Sequence, residues 1–247
     1  MKIKQYLDST YLKTAEQAGL TVEENKEIVK GFVQEAIDEG FKLIMIRPDM
    51  VAMARKMIND ANSKVTIGTV IGFHEGTKSL EDKLIEANKA IIDGADDLDY
   101  VCNYEAFKKG EIDLVKKEIL EGTKLGLDHH KIVKWIIEVV ALTDMQIIQL
   151  STLIKNVVIA NFKEENYQSV FVKSSTGFFK TENNLPNGAT VPSIIIMLEN
   201  SSPLPVKAAG GVRTYEEAVQ MINLGVKRIG TSAAKAIANG AESNSDY

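Results

Sequence analysis

Residues 169–175, SVFVKSS, and residues 205–211, PVKAAGG, decide how the rest of this chain is read. Each is a short apolar run bounded by turn-forming residues, the pattern of a strand buried on both faces in a parallel sheet. Each also carries one lysine, Lys173 or Lys207, where a doubly covered strand should be apolar throughout. Working outward, the same kind of run recurs: LDSTYL at 7–12, FKLIMIR at 41–47, KVTIGTVIGF at 64–73, DDLDYVCN at 96–103, KIVKWIIEV at 131–139 and VKRIGTS at 226–232.

Helical patterns fill the intervals. Thr21-x-x-Glu24, Thr143-x-x-Gln146 and Thr214-x-x-Glu217 have the spacing of capping boxes. After the first of them, Ile28, Val29, Phe32, Val33, Ala36 and Ile37 follow at helical intervals, and Gly40 is the stop. Pro48 opens a second helix, a residue tolerated in the first turn. Further helices are expected over about 78–93, 105–127 and 191–199, with a last one from about Ala233. Eight strand–helix units predict an α/β fold, a single (β/α)8 TIM barrel over residues 1–240 with a polar tail at 241–247. The length of 247 residues suits such a barrel, for which ~250 is typical. An open, doubly wound sheet is the alternative, and it would need fewer strands.

Bulk properties narrow the function classes. A net charge of −5 argues against a nucleic-acid or anionic-membrane partner, so an anionic substrate must be held by a local positive site. The lone Cys102 rules out an intrachain disulfide and a thiolate metal cluster, and its apolar setting marks it as a small buried hydrophobe. The N-terminal MKIKQYLDST lacks the apolar segment of a signal peptide, and no run reaches the ~18 apolar residues of a membrane span. A cytoplasmic protein is expected. His74 has no acidic or histidine partner at ligand spacing, so no metal is expected.

In barrels of this kind the chemistry sits at the C-terminal ends of the strands. Charged residues fall there or nearby on five strands: Asp8, Asp99, Lys134 with Glu138, Lys173 and Lys207. A single lysine at a strand mouth is most simply one that extends to water. Two on adjacent strands, each followed by small residues, ask for a chemical explanation. A lysine must be neutral to attack a carbonyl, yet its ordinary pKa is about 10.4. A neighbouring ammonium and exclusion of water both disfavour the charged form, and a shift of three units takes ~4 kcal/mol. On this argument either lysine could be the nucleophile. DDLDYV places Asp97 and Asp99 on one face of its strand, and Asp99 with Lys207 could move protons. Gly210-Gly211 and Gly230-Thr231-Ser232 follow the seventh and eighth strands, where barrels often seat a phosphate on backbone N–H groups.

Together LDSTYL, VIGF, the Lys83-x-x-Glu86 pair, GADDLDYV, VKWIIE, FVKSSTGF, VKAAGGVRT and RIGTS resemble the deoxyribose-phosphate aldolase family in identity and order, from about residue 7 to 235. The resemblance implies reversible cleavage of 2-deoxy-D-ribose 5-phosphate to acetaldehyde and D-glyceraldehyde 3-phosphate, without a cofactor. It implies Lys173 as the Schiff-base lysine, Lys207 as the group that lowers its pKa, and Asp99 in the proton relay. Asp8, Thr10, Lys134 and Ser175 would contact substrate, Gly210, Gly211, Gly230 and Ser232 would hold the phosphate, and the terminal Tyr247 would shuttle a proton. The implied partners are small phosphorylated sugars and aldehydes, and a homodimer is left open. Met45, Arg47, His74, Val139 and Ala233 depart from the family's usual residues, which bears on substrate range. A related Schiff-base aldolase for another sugar, a phosphosugar isomerase and a non-catalytic phosphosugar-binding barrel are the competing readings.

Overall fold

Aliphatic and β-branched residues dominate the eight runs, and each of the runs forms a strand in the computed structural model, which describes residues 2–181 and 187–240. In chain order the elements are β1 (Leu7–Thr10), α1 (Ala15–Ala18), α2 (Val22–Glu39), β2 (Leu43–Ile46), α3 (Val51–Asp60), β3 (Thr66–Ile71), α4 (Leu80–Asp93) and β4 (Asp97–Val101). They continue as α5 (Tyr104–Lys108), α6 (Ile112–Asp128), β5 (Ile132–Ile136), α7 (Asp144–Asn161), β6 (Val170–Lys173), α8 (Val191–Ser201), β7 (Val206–Ala209), α9 (Tyr215–Leu224), β8 (Arg228–Thr231) and α10 (Ala234–Ala238). The strands are parallel and close in sequence order, β8 pairing back onto β1. The open-sheet alternative is thereby excluded. No helix among the described residues is long and apolar enough to cross a membrane.

The three capping boxes form as their spacing requires, each threonine accepting from the backbone three residues on. Two more, Thr14–Gln17 and Thr190–Ser193, also form. The single helical region expected over 105–127 is two helices. Gly110, at φ 83°, turns the chain out of the helical region between α5 and α6.

Side chains on alternate strand positions divide into two environments. Those pointing outward pack under the helices: Tyr100 stacks on Trp135 with ring centroids 4.8 Å apart, and Trp135 donates to Thr123 Oγ1 on α6 at 2.9 Å. Gly122 allows this contact, because a Cβ there would lie 2.9 Å from the indole. The barrel interior is itself split. Leu12, Leu43, Met45 and Val70 make one half apolar, whereas the half lined by β4 to β8 and by β1 is charged. Gly68 leaves the space that the Met45 side chain fills.

Lys83 and Glu86 do not pair with each other. Lys83 is sealed between α4 and the barrel, where its ammonium contacts Glu118 and donates to the carbonyls of Gly76 and Val101 at 2.7 and 2.8 Å. Glu86 instead accepts from the Gly72 N–H and from Lys78. Separation by three residues puts both on one helix, but α4 turns Lys83 inward and leaves Glu86 at the rim.

Candidate active site

Parallel register builds the charged half of the barrel. Lys173 on β6 stands opposite Lys207 on β7, Lys207 opposite Arg228 on β8, and Asp99 on β4 opposite Lys134 on β5. Asp97 and Asp99 share one face of β4, as the alternation of a strand dictates. Asp99 is the hub: its Oδ2 lies 3.0 Å from both Lys173 Nζ and Lys207 Nζ, and its Oδ1 is 2.8 Å from Lys134 Nζ. The two amines singled out in the sequence therefore touch the same oxygen. Lys134 also reaches Asp97 at 2.6 Å, and Lys207 ion-pairs with Asp8 at 2.7 Å. Below them Arg228 donates through Nε to Asp8 at 2.7 Å and lies 3.4 Å from Asp97. All seven side chains are buried.

This packing sets their proton affinities. Burial lowers the Lys173 pKa most, and the ammonium groups of Lys207 and Lys134 lower it further against the opposing pull of Asp99; the result is about 8. The sequence argument gave the like charge equal standing with exclusion of water, and the larger cause is the exclusion. Burial also disfavours the charged form of Lys207, but Asp8 and Asp99 outweigh it and raise its pKa. Burial would raise the Asp99 carboxyl, yet Lys134, Lys207 and Lys173 hold it well below the usual range. The two lysines that the sequence leaves equivalent are thus driven in opposite directions.

The remaining expected residues fall into distinct groups. Asp8 and Lys134 belong to the charged cluster itself. Thr10 is buried, and its hydroxyl donates to the Asp8 carbonyl. Ser175 is also buried; its hydroxyl lies 2.6 Å from Glu138 and 2.9 Å from the Asn187 carbonyl while accepting from the Gly177 N–H, so it braces the loop after β6. Gly210 and Gly211 both have positive φ, at 79° and 83°. Gly210 lies against Gly188 so closely that a Cβ on Gly188 would be 2.4 Å from the Gly210 Cα. Gly230 faces the barrel interior, where a Cβ would come 3.1 Å from the Lys207 side chain, so its bareness also makes room for that lysine. Ser232 follows β8, just before α10, whose N-cap position, Ala233, makes no side-chain cap hydrogen bond. Tyr247 and the tail at 241–247 lie outside the described residues.

Three features of the site were not assigned from sequence. Arg228 and Asp97 form the floor of the cluster. Glu138, held at φ 54°, accepts from Ser175, from the Thr176 N–H and from the Thr176 hydroxyl; burial raises its pKa against these hydrogen bonds. The departures from the family pattern fall in separate settings. Met45 packs in the apolar half, Arg47 donates to the Leu12 carbonyl and sits 4.7 Å over the Phe73 ring, and His74 stacks on Phe178. Val139 and Ala233 are buried, their N–H groups bound to Ser174 O and Thr231 Oγ1.

The closed ring of eight strands makes the chain a (β/α)8-barrel protein, and its relatives make it an aldolase. It is 38% identical to a deoxyribose-phosphate aldolase of Thermococcus gammatolerans, over 98% of this chain and 97% of that one. It is 36% identical to a deoxyribose-phosphate aldolase of Streptococcus suis over the full length of both. Among solved structures it superposes on QR15, an aldolase, with TM-score 0.79 and 29% identity, covering 97% of this chain and 95% of that one. It also superposes on the tetrameric deoxyribose phosphate aldolase of Aeropyrum pernix, with TM-score 0.76, 26% identity and 96% and 89% coverage. No protein-family profile matches the chain. The chain belongs to the deoxyribose-phosphate aldolase family.

Proposed function

We propose that this chain reversibly cleaves 2-deoxy-D-ribose 5-phosphate to acetaldehyde and D-glyceraldehyde 3-phosphate, with Lys173 as the amine that forms the Schiff base. One observation carries the reading: Lys173 is the buried lysine whose pKa falls to about 8, and it shares a single carboxylate oxygen with Lys207. At that value about a tenth of the amine is neutral at pH 7, against well under a thousandth for an ordinary lysine.

The chemistry follows from a neutral amine beside a proton-bearing cluster. Lys173 Nζ adds to the aldehyde carbon of the open-chain sugar, and the carbinolamine loses water to give an iminium. The bond between the second and third carbons then breaks. Its electrons pass to the iminium as an enamine, while the third carbon's hydroxyl gives up its proton and becomes the aldehyde of glyceraldehyde phosphate. Protonation of the enamine and hydrolysis release acetaldehyde and restore the lysine. Asp99, in contact with Lys173, Lys207 and Lys134, is positioned to relay protons through these steps. The loops at Gly210-Gly211 and Gly230-Thr231-Ser232 would take the phosphate on backbone N–H groups. Asp8, Thr10 and Lys134 act from beneath the sugar, through the cluster and β1, and Ser175 acts through its loop. The reading calls for no cofactor and places the reaction in the cytoplasm.

Borohydride reduction in the presence of acetaldehyde tests the assignment. The expected result is an added ethyl mass on the peptide containing Lys173. Labelling confined to Lys207, or none, would overturn it.

A further inference from the structure

The charged cluster is unbalanced, and the imbalance has a location. Its basic members are Lys134, Lys173, Lys207 and Arg228; its acidic members are Asp8, Asp97 and Asp99. Four bases meet three acids in a space closed to water. β2 and β3 add no charge, since they face the interior with Leu43, Met45, Gly68 and Val70. Glu138, beyond the end of β5, is the remaining carboxylate near Lys173 among the described residues, and its oxygens are taken up by Ser175 and Thr176.

Contacts within the cluster are unequal. Arg228 touches Asp8 and Asp97, Lys134 touches Asp97 and Asp99, and Lys207 touches Asp8 and Asp99. Among the described residues, Lys173 alone of the four meets one carboxylate, Asp99, which already serves two other lysines. An arginine does not give up its proton in a protein. Its charge is therefore a fixed claim on the floor carboxylates, and three lysines compete for what is left. The one with fewest contacts holds its proton least tightly.

We propose that Arg228, sealed beneath the cluster and out of contact with Lys173, is a positioning residue that makes the Lys173 amine easier to deprotonate by occupying the negative charge of Asp8 and Asp97. The inference rests on Lys173 being the imine-forming amine. Take away the guanidinium charge and three carboxylates face three lysines, so Lys173 can keep its proton. Take away a floor carboxylate and the shortage deepens.

The pH dependence of borohydride trapping with acetaldehyde, read at the Lys173 peptide of the full chain, separates these cases. For Arg228→Met the acid limb is expected to move up by about one pH unit, lowering trapping at pH 7 by roughly tenfold. Arg228→Lys, which retains a charge, should restore much of the original profile. Asp97→Asn should move the limb the opposite way. A damaged barrel would not give shifts of opposite sign. Where methionine prevents folding, as circular dichroism would reveal, Arg228→Gln removes the charge while keeping the floor polar. An Arg228→Met or Arg228→Gln limb within about 0.3 pH unit of the parent's, or floor variants that all shift the same way, would overturn the proposal. A parent chain not trapped at Lys173 at any pH would instead remove the functional assignment on which it stands.

Discussion

Two lysines of this chain are sealed from water in contrasting ways. Lys83, between α4 and the barrel wall, has three acceptors for its three N–H bonds: Glu118 and the carbonyls of Gly76 and Val101. Lys173, inside the barrel, has one carboxylate oxygen, and it shares that oxygen with Lys207. For a buried ammonium that is fully hydrogen-bonded, the partners replace the lost water. One that is under-supplied sheds its proton more readily. On the proposed assignment, what distinguishes Lys173 is burial with too few acceptors, not burial alone.

The contrast can be broken at either end. Lys173→Met should reduce aldol cleavage by on the order of 10³-fold or more and abolish borohydride trapping, as expected when the covalent nucleophile is removed. Measured turnover within tenfold of the parent would contradict this. Lys83→Met should leave trapping at Lys173 intact but cost about 3–5 kcal/mol in urea unfolding, because it strands Glu118 in a buried site. Lys207→Leu should shift the acid limb of the pH–rate profile upward by about one unit, since Asp8 and Asp99 lose a competing cation and Lys173 holds its proton more tightly. An unmoved profile would show that the two amines are not coupled.

The smallest effect is also the sharpest. The folded-state pKa of Lys173 lies near 8, below its ordinary value of 10.5, so the unfolded chain binds more protons between those limits. Stability should therefore rise with pH across that window, and below pH 8 the fold carries the full cost of the buried amine. Lys173→Met should remove this slope and stabilise the inactive protein by on the order of 1 kcal/mol at pH 7. Lys83 and Lys173, changed to the same residue, would then move stability in opposite directions.

Much of the barrel was legible before its structure. Strand periodicity and threonine caps are local signals, and they located all eight units. Lys173, Lys207 and Asp99 were legible because a charge in an apolar strand violates its surroundings. Arg228 stood in the last run all the while, but its direction depends on register and on the tilt of the closed ring, which no single strand encodes. The Lys83–Glu118 pair was hidden by a separation of 35 residues. Glu86, its motif neighbour, accepts instead from the Gly72 N–H and from Lys78. The split at Gly110 was missed because one glycine is tolerated within a helical pattern and breaks it only when the backbone takes a positive φ.

The contact between Asp8 on β1 and Arg228 on β8 joins positions 220 residues apart. A growing polypeptide acquires the first early and the second almost last, so the cluster is incomplete until the ring shuts. With the ring open, Lys173 would be solvated and would hold its proton as an ordinary lysine does. On the proposed assignment, reactivity would arrive only with the finished protein, and a chain interrupted before its eighth strand would be chemically harmless as well as unfolded.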